Sequence, residues 1–211
     1  MSLSLALPRG RLFSEVADLL RRAGLPSPLP EEEGLVQERE GFRYLLLKPA
    51  DVVVYVREGA AALGITGKDV LLEGEGGYGE LLDLGIGACR LSVCGPFSPA
   101  EWQDLLSSRA RELKVATRHP RATASFFAAR GLRPRIIVLG GSLELAPLLG
   151  LAEVIVDLVA TGKTLARHGL TELEVISSVT ARLIANPVFL RLEPERAEAL
   201  LSAFREARCV A

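Results

Sequence analysis

The apolar positions of the chain follow two patterns, which predict two kinds of secondary structure. Short continuous runs of apolar, often β-branched residues are typical of strands that are buried on both faces. Such runs lie at residues 2–7, 42–48, 61–66, 88–96, 112–118, 133–139, 153–159 and 172–187. The last run is long enough for one long strand or for a bent pair of strands, and the pattern leaves both open.

Between these runs, apolar residues recur every three or four positions, which predicts amphipathic helices. Helices are predicted within residues 11–24, 67–76, 119–131, 141–150, 162–169 and 193–208. Another helix is predicted to begin at Ser98, because Ser98 and Glu101 form a capping box around Pro99. Since strands alternate with helices, the pattern predicts an α/β protein with largely parallel sheets.

Two segments have weaker patterns. Residues 25–40 are rich in Pro and Glu and are predicted to form a surface loop. Residues 49–59, with the sequence PADVVVYVREG, fit either a helix or an extended segment, and their periodicity does not decide between the two.

Composition excludes several classes of protein. Of the 211 residues, 49% are apolar, which allows a sizeable core, and the formal net charge is −1. The chain therefore lacks the basic excess of a nucleic-acid-coating protein, and no apolar run approaches the ~18 residues of a membrane span. The three cysteines form no Cys-x-x-Cys pair, and the N-terminus lacks the features of a secretion signal. We therefore expect a cytoplasmic protein that binds neither nucleic acid nor membrane.

Three loops at predicted strand ends combine small residues with a cation. They are LPRGR (7–11), GITGKD (64–69) and VATGKT (159–164). Ligands of open α/β sheets gather at the carboxyl ends of strands, so these loops are candidate binding sites.

The third loop resembles the end of a nucleotide-binding P-loop, G-x-x-x-x-G-K-[ST]. Asp157 stands where that motif needs its first glycine, and Ala62 stands there in the second loop, which disfavours a P-loop NTPase. Residues 161–164 are predicted to open a helix whose free N–H groups attract phosphate, and Asp157 can accept hydrogen bonds from ligand hydroxyls. This combination suits a ribose 5-phosphate. The alternative is an ordinary helix start, with Thr161 as its cap and Lys163 in solvent.

Five segments, taken in order between Leu5 and about Pro187, resemble one enzyme family. They are LALPRGRL, LGITGKDVLLE, LKVATRHP, LELAPLLGLAEVIVDLVATGKTL and ARLIANP. Together they are similar to ATP phosphoribosyltransferase, the first enzyme of histidine biosynthesis. The resemblance implies that ATP and phosphoribosyl pyrophosphate (PRPP) react, with Mg2+, to give N1-(5-phosphoribosyl)-ATP and pyrophosphate. It also implies a fold like type II periplasmic binding proteins, with two α/β lobes and the active site in the interlobe cleft.

The resemblance implies a domain organisation and partners as well. Crossings near residues 89 and 174 would give lobe I, residues 1–88 plus 174–211, and lobe II, residues 89–173, with the PRPP-binding loop. Because the chain ends soon after these lobes, we expect the short form of the family. Short forms are implied to work with a regulatory subunit resembling histidyl-tRNA synthetase, as homodimers that build a hetero-octamer. The alternative is a two-lobed binding protein for small anions or solutes, which should carry a secretion signal.

The candidate substrate contacts fall in the loops described above. The ribose 5-phosphate part of PRPP is assigned to Asp157, Ala160, Thr161, Gly162, Lys163 and Thr164. Arg9, Gly10 and Arg11 suit a polyphosphate, because two guanidinium groups flank a glycine that allows close approach of the backbone.

Further candidates also have structural alternatives. Substrate contacts are predicted for Lys48, Gly67, Lys68 and Asp69, and Asp69 alternatively caps a helix. Glu144 is predicted to bind the ribose or the adenine amine, and alternatively is a solvated helix residue. We expect no general base, since adenine N1 carries no proton before attack, and predict that Arg9, Arg11 and Lys163 position the substrates.

Overall fold

The computed structural model describes residues 2–108 and 112–209. The chain divides into two compact units, one formed by Met1–Gly87 and Thr180–Ala211 and the other by Ala88–Val179. The second change of unit follows the end of a strand, Thr171–Val179, which pairs with Cys89–Gly95 along its length. The crossing predicted near residue 174 falls inside this strand.

The first unit is built on a six-stranded sheet. With strands and helices numbered along the whole chain, its strands are β1 (Leu3–Pro8), β2 (Val36–Arg39), β3 (Phe42–Leu47), β4 (Leu63–Gly67), β5 (Gly79–Asp83) and β11 (Ala181–Ala185). Its helices are α1 (Phe13–Arg22), α2 (Pro49–Arg57), α3 (Lys68–Glu73), α8 (Pro187–Leu192) and α9 (Pro194–Cys209). Short 3-10 turns lie at Gly10–Leu12 and Glu31–Glu33. The strand order is β2-β3-β1-β4-β11-β5.

The second unit is built on a five-stranded sheet with the order β10-β6-β9-β7-β8. Its strands are β6 (Cys89–Gly95), β7 (Lys114–Thr117), β8 (Arg135–Val138), β9 (Val154–Val159) and β10 (Thr171–Val179). Its helices are α4 (Pro99–Ser107), α5 (Pro120–Ala128), α6 (Leu145–Leu148) and α7 (Lys163–Arg167).

Both sheets are mixed, so the prediction of largely parallel sheets is wrong. Parallel pairing is found between β1 and its neighbours β3 and β4, and between β7 and its neighbours β8 and β9. The pairs β2–β3, β4–β11, β5–β11, β6–β9 and β6–β10 are antiparallel. The β2–β3 hairpin turns tightly through Glu40 and Gly41, both at positive φ. The alternation of strands and helices along the sequence does not reveal which neighbouring strands run antiparallel.

The structure also shows which elements the segments with weak patterns form. Residues 49–59 contain α2, with Pro49 at its first position and Val52, Val53 and Val56 buried. Residues 25–40 are not only a loop, because they contain the edge strand β2. Residues 172–187 contain most of β10 and all of β11, which belong to different sheets.

Each sheet is covered on both faces by apolar side chains. In the first unit, Leu5 and Leu7 pack in the cluster that includes residues of α1 and α9, whereas Ala6 packs in the cluster that includes α2. In the second unit, one cluster contains Trp102 of α4 with Phe126 and Phe127 of α5, and another contains residues of α6 and α7. Among the described residues, no helix is long and apolar enough to cross a membrane.

Helix α4 begins as predicted. Ser98 Oγ accepts a hydrogen bond from the Glu101 backbone N–H at 3.3 Å, and Glu101 Oε2 accepts one from the Ser98 N–H at 2.7 Å. This reciprocal pair satisfies two N–H groups that the helix itself leaves free. The capping box predicted from the sequence is therefore confirmed.

Candidate substrate-binding site

A cavity of about 210 Å³ in the second unit gathers half of the predicted site residues. Its lining consists of Glu144, Ile155, Asp157, Leu158, Val159, Ala160, Thr161, Gly162, Lys163, Thr164 and Leu165. Glu144 precedes α6, whereas the other residues belong to β9, the following loop and α7. The fold thus brings Glu144 beside the residues assigned to ribose 5-phosphate.

The loop between β9 and α7 has a conformation that depends on Gly162. Gly162 is the N-cap of α7 and has φ +74°, in the left-handed region that favours glycine. The alternative with Thr161 as the helix cap is wrong, since α7 begins at Lys163 and has no side-chain cap. The side chains of Thr161, Lys163 and Thr164 are exposed along the cavity. Hydroxyl, ammonium and backbone donors therefore lie within one short segment.

Asp157 lies in the cavity wall in a partly buried position. Its Oδ1 accepts a hydrogen bond from the Leu158 backbone N–H at 2.8 Å, and the Nε of Arg118 lies 3.8 Å away. Burial raises the pKa of Asp157, against the opposing effects of this hydrogen bond and of the electrostatic contributions of Arg118 and His119. The negative charge of Glu144 adds to this rise in the pKa of Asp157.

A polar cluster adjoins Asp157 on the same sheet face and was missed by the sequence analysis. Ser92 of β6 pairs directly with Asp157 of β9, so both side chains lie on one face. The Ser92 hydroxyl and the Arg90 guanidinium donate hydrogen bonds to the carboxylate of Glu172, all at 2.7 Å. The Arg90 hydrogen bonds lower the pKa of Glu172. Neighbouring Cys94 is fully buried, and burial raises the pKa of its thiol to about 12.

Arg118 was missed as well, although a sequence signal for it exists. It follows β7 directly, so it lies at the carboxyl end of a parallel strand, where ligands of such sheets gather. A cation near the end of a predicted strand was the signal that led to Arg9, and the same rule would have found Arg118.

A second group of predicted residues lies in the first unit, at the carboxyl ends of the adjacent strands β3, β1 and β4. The Arg9 backbone N–H donates a hydrogen bond to the Leu47 carbonyl at 2.8 Å, which brings the turn after β1 beside Lys48. Lys48 is exposed and is the N-cap of α2.

The turn after β1 already binds a carboxylate of the protein. Gly10 has φ +80°, and its N–H donates to Glu31 Oε1 at 2.7 Å, while Arg9 Nε donates to Glu31 Oε2 at 3.1 Å. Arg11 points elsewhere, with its Nη2 donating to the Gly87 carbonyl at 3.4 Å. Arg9 and Gly10 thus act together on an anion, and Arg11 has a contact of its own.

The turn after β4 is held by contacts within the first unit. Lys68 Nζ forms an ion pair with Glu80 at 2.7 Å. The alternative with Asp69 as the helix cap is wrong, because α3 begins at Lys68 and its N-cap is Gly67, without a side-chain cap. The buried carboxylate of Asp69 folds over Gly67 instead, and a Cβ at position 67 would overlap with Asp69 Oδ1. A residue other than glycine at position 67 would therefore displace the Asp69 carboxylate.

The part of the chain that the structure describes contains no group of three or more His, Cys, Asp or Glu side chains able to hold a metal ion. The cavity of the second unit offers two carboxylates, those of Glu144 and Asp157. Mg2+ is commonly bound by one or two carboxylates together with substrate phosphates, so this donor set fits a metal that arrives with a phosphate ligand.

Comparison with known proteins identifies the family. Residues 48–206 match the family model of ATP phosphoribosyltransferase. The chain belongs to the ATP phosphoribosyltransferase family. It is 46% identical over 208 residues to the ATP phosphoribosyltransferase of Geobacillus sp. strain WCH70, covering 97% of this chain and 98% of the relative. It is 43% identical over 197 residues to that of Bacillus subtilis strain 168, covering 92% and 89%.

Solved structures agree with this family and with its fold. A structure of the ATP phosphoribosyl transferase (HisG:HisZ) complex from Thermotoga maritima matches with a TM-score of 0.80 and 29% identity, covering 99% of this chain and 100% of that one. The VFT2 domain of Bordetella pertussis BvgS matches with a TM-score of 0.61, 12% identity and coverage of 98% and 86%, and this shows the fold alone. The two-lobed α/β fold class predicted from the resemblance is confirmed.

Family membership also confirms the predicted class of activity. ATP phosphoribosyltransferases are pentosyl-transferring enzymes that catalyse the first step of histidine biosynthesis. The non-catalytic solute-binding alternative is not favoured, because these relatives match nearly the whole chain and are enzymes. The roles of individual residues remain predictions.

Proposed function

We propose that the chain transfers the phosphoribosyl group of PRPP to N1 of ATP through the residues of its two loop groups. The observation that carries the proposal is the cavity of the second unit, in which Glu144 and Asp157 lie with residues 160–164. A ligand with vicinal hydroxyls and a phosphate matches this combination of acceptors and donors.

In the proposed complex, the 5-phosphate of PRPP takes the backbone N–H groups at the start of α7, the hydroxyls of Thr161 and Thr164, and the ammonium of Lys163. Such donors favour phosphate because the first turn of a helix leaves its N–H groups free. Ala160 leaves room beside the phosphate. The carboxylates of Asp157 and Glu144 accept hydrogen bonds from the ribose hydroxyls.

The loops of the first unit are proposed to bind the polyphosphate of ATP or the leaving pyrophosphate. Arg9 and Gly10 already hold the two oxygens of one carboxylate, which supports their use for a phosphate. Lys48 adds a positive charge beside them. Gly67, Lys68 and Asp69 form the neighbouring turn, and we propose that they contact the same substrate.

The chemistry requires positioning rather than a general base. Adenine N1 displaces pyrophosphate from the ribose C1 through a state with positive charge on the sugar and negative charge on the leaving group. Arg9, Arg11 and Lys163 are proposed to hold the reactants in line and to stabilise the developing negative charge. The carboxylates of Glu144 and Asp157 would help to hold Mg2+ that arrives with the substrate, and the bound metal would supply positive charge to stabilise the leaving group.

We further propose that the chain acts with a regulatory subunit resembling histidyl-tRNA synthetase, in the cytoplasm. The Thermotoga maritima structure is a HisG:HisZ complex, which supports a partner of this kind. The proposed assembly is a hetero-octamer of four catalytic and four regulatory chains, built on homodimers of the catalytic chain.

The decisive assay is pyrophosphate release from ATP plus PRPP, with and without the regulatory subunit. We expect release to require both substrates. Release from ATP alone would favour an NTPase, and no release even with the partner would refute the transferase proposal.

Lys163→Ala tests the proposed phosphate loop. We expect the KM for PRPP to rise about tenfold or more, because a charge-assisted contact to the 5-phosphate is lost. Arg167→Ala is the matched control, since it removes one positive charge from the last turn of the same helix, outside the cavity lining. An unchanged KM and kcat for Lys163→Ala would disprove the assignment of this loop.

A further inference from the structure

The carboxylate of Glu31 lies against the turn after β1, on the two donors proposed above for a phosphate. One carboxylate oxygen accepts the Gly10 N–H at 2.7 Å, and the other accepts Arg9 Nε at 3.1 Å. The two oxygens thus use one backbone donor and one guanidinium donor, the combination that binds phosphate in many loops. The side chain of Glu31 is only 22% exposed although its partner Arg9 is 46% exposed.

The segment that carries Glu31 is fixed in place by a buried amide. The Gln37 side chain is 5% exposed, and its Oε1 accepts the Leu29 N–H at 2.7 Å. Its Nε2 donates to the carbonyls of Pro30 at 3.2 Å and Gly34 at 3.1 Å. These bonds hold the 3-10 turn Glu31–Glu33 from both sides, so the position of Glu31 is built into the fold.

An ordinary surface ion pair does not account for this arrangement. Exposed pairs stabilise little and need no backbone donor, whereas Glu31 takes the N–H of a glycine in the left-handed conformation. Glu32 and Glu33, in the same turn, are exposed. Glu31 is therefore set apart from its two neighbours by its contact with the candidate polyphosphate site.

We propose that Glu31 is an intramolecular competitor for the polyphosphate subsite formed by Arg9 and Gly10. Its carboxylate leaves these donors before a phosphate of ATP or pyrophosphate takes them, so the affinity for polyphosphate is lower than the two donors alone would give. This inference rests on the proposed function of the Arg9–Gly10 turn.

The same competition assists product release. When pyrophosphate leaves, the carboxylate takes back the Gly10 N–H and the guanidinium of Arg9, so neither donor loses its anionic partner. Glu31 is thus a residue that sets the affinity of the subsite and does not itself touch the reacting atoms.

The test is the binding of inorganic tripolyphosphate to the full-length chain, measured by isothermal titration calorimetry. We expect Glu31→Gln to lower the Kd about tenfold, which corresponds to about 1.4 kcal/mol. Glutamine keeps the shape of the side chain and removes its charge. Glu32→Gln is the matched control, because it makes the same change in net charge within the same turn, and its Kd should stay within about twofold of wild type.

The outcomes separate this inference from the proposed function. An unchanged or higher Kd for Glu31→Gln, with a melting temperature like that of wild type, overturns the competitor role. An equal gain in affinity for tripolyphosphate in both variants also overturns it, since such a gain would reflect only the change in net charge. If Glu31→Gln is poorly folded, Glu31→Asp replaces it in the test. Aspartate keeps the negative charge, but its side chain is too short to contact Arg9 and Gly10 in the same way. Failure of the wild-type enzyme to release pyrophosphate from ATP and PRPP with its partner would instead refute the proposed function.

Discussion

Replacing Gly162 by Ala changes the phosphate loop through its backbone alone. Gly162 has φ +74°, and a Cβ added there would meet no heavy atom within 4 Å. The cost is therefore conformational, about 1–2 kcal/mol for an L-residue in the left-handed region. For a chain of 211 residues, this free energy corresponds to a fall in Tm of about 2–8 °C.

The same strain should disturb the proposed PRPP contacts. If the loop relaxes to a negative φ at position 162, the directions of the N–H groups that follow change. We expect kcat/KM for PRPP to fall about ten- to hundredfold, since small displacements of positioning groups have effects of this size. Steady-state kinetics of pyrophosphate release with the regulatory subunit, together with thermal unfolding, measure both effects.

Gly169→Ala is the matched control for this experiment. Gly169 follows the same helix, has φ +66°, and also has no heavy atom within 4 Å of an added Cβ, but it does not line the cavity. It should lose as much stability as Gly162→Ala and keep wild-type kinetics. If both variants lose stability equally and neither changes the kinetics, the conformation of Gly162 has no part in PRPP binding.

Two further predictions concern stability. Arg90 holds the pKa of Glu172 below its usual value, so the ionised pair stabilises the fold above the unfolded-state pKa, and this stabilisation is lost as the pH falls through the folded-state pKa. Glu172→Gln should therefore lower the free energy of unfolding by about 1 kcal/mol at pH 7. In urea titrations, the difference in this free energy between the variant and wild type should narrow below about pH 4. A difference that is constant with pH would contradict this prediction. Ser98→Ala removes the cap of α4, which packs on the sheet face opposite the cavity, and should cost about 1 kcal/mol with unchanged transfer kinetics. Differential scanning calorimetry and the pyrophosphate assay check this, and a Tm equal to that of wild type would contradict it.

The loops predicted from local chemistry each lie where a strand ends. Asp157, residues 160–164 and Glu144 line one cavity, as expected for ligand-binding loops at a sheet edge. Arg90, Ser92 and Glu172 escaped prediction because their cluster joins β6 to a strand about 80 residues later. Such contacts depend on strand register, which periodicity does not reveal.

The elements of the fold likewise differ in how well the sequence predicted them. Apolar runs located most of the strands, but Gly79–Asp83 and Val36–Arg39 were not predicted. Val36–Arg39 was missed because its sequence, VQER, is largely polar and its inward-facing Gln37 is satisfied by hydrogen bonds. In residues 49–59 the valines suit a strand by propensity, and packing against β1 and β4 allows a helix to form there. Tertiary contacts overrode local preference in both segments.

The order of strands in the first unit has a consequence for synthesis of the chain. Among the described strands, β5 pairs only with β11, and β11 lies between β4 and β5 although it is encoded after the entire second unit. The residues of β5 therefore leave the ribosome long before those of β11 have been synthesised. By contrast, all strands of the second unit come from one continuous stretch of chain. The cavity proposed for PRPP can thus be completed while the sheet that carries the Arg9–Gly10 turn still has an open edge.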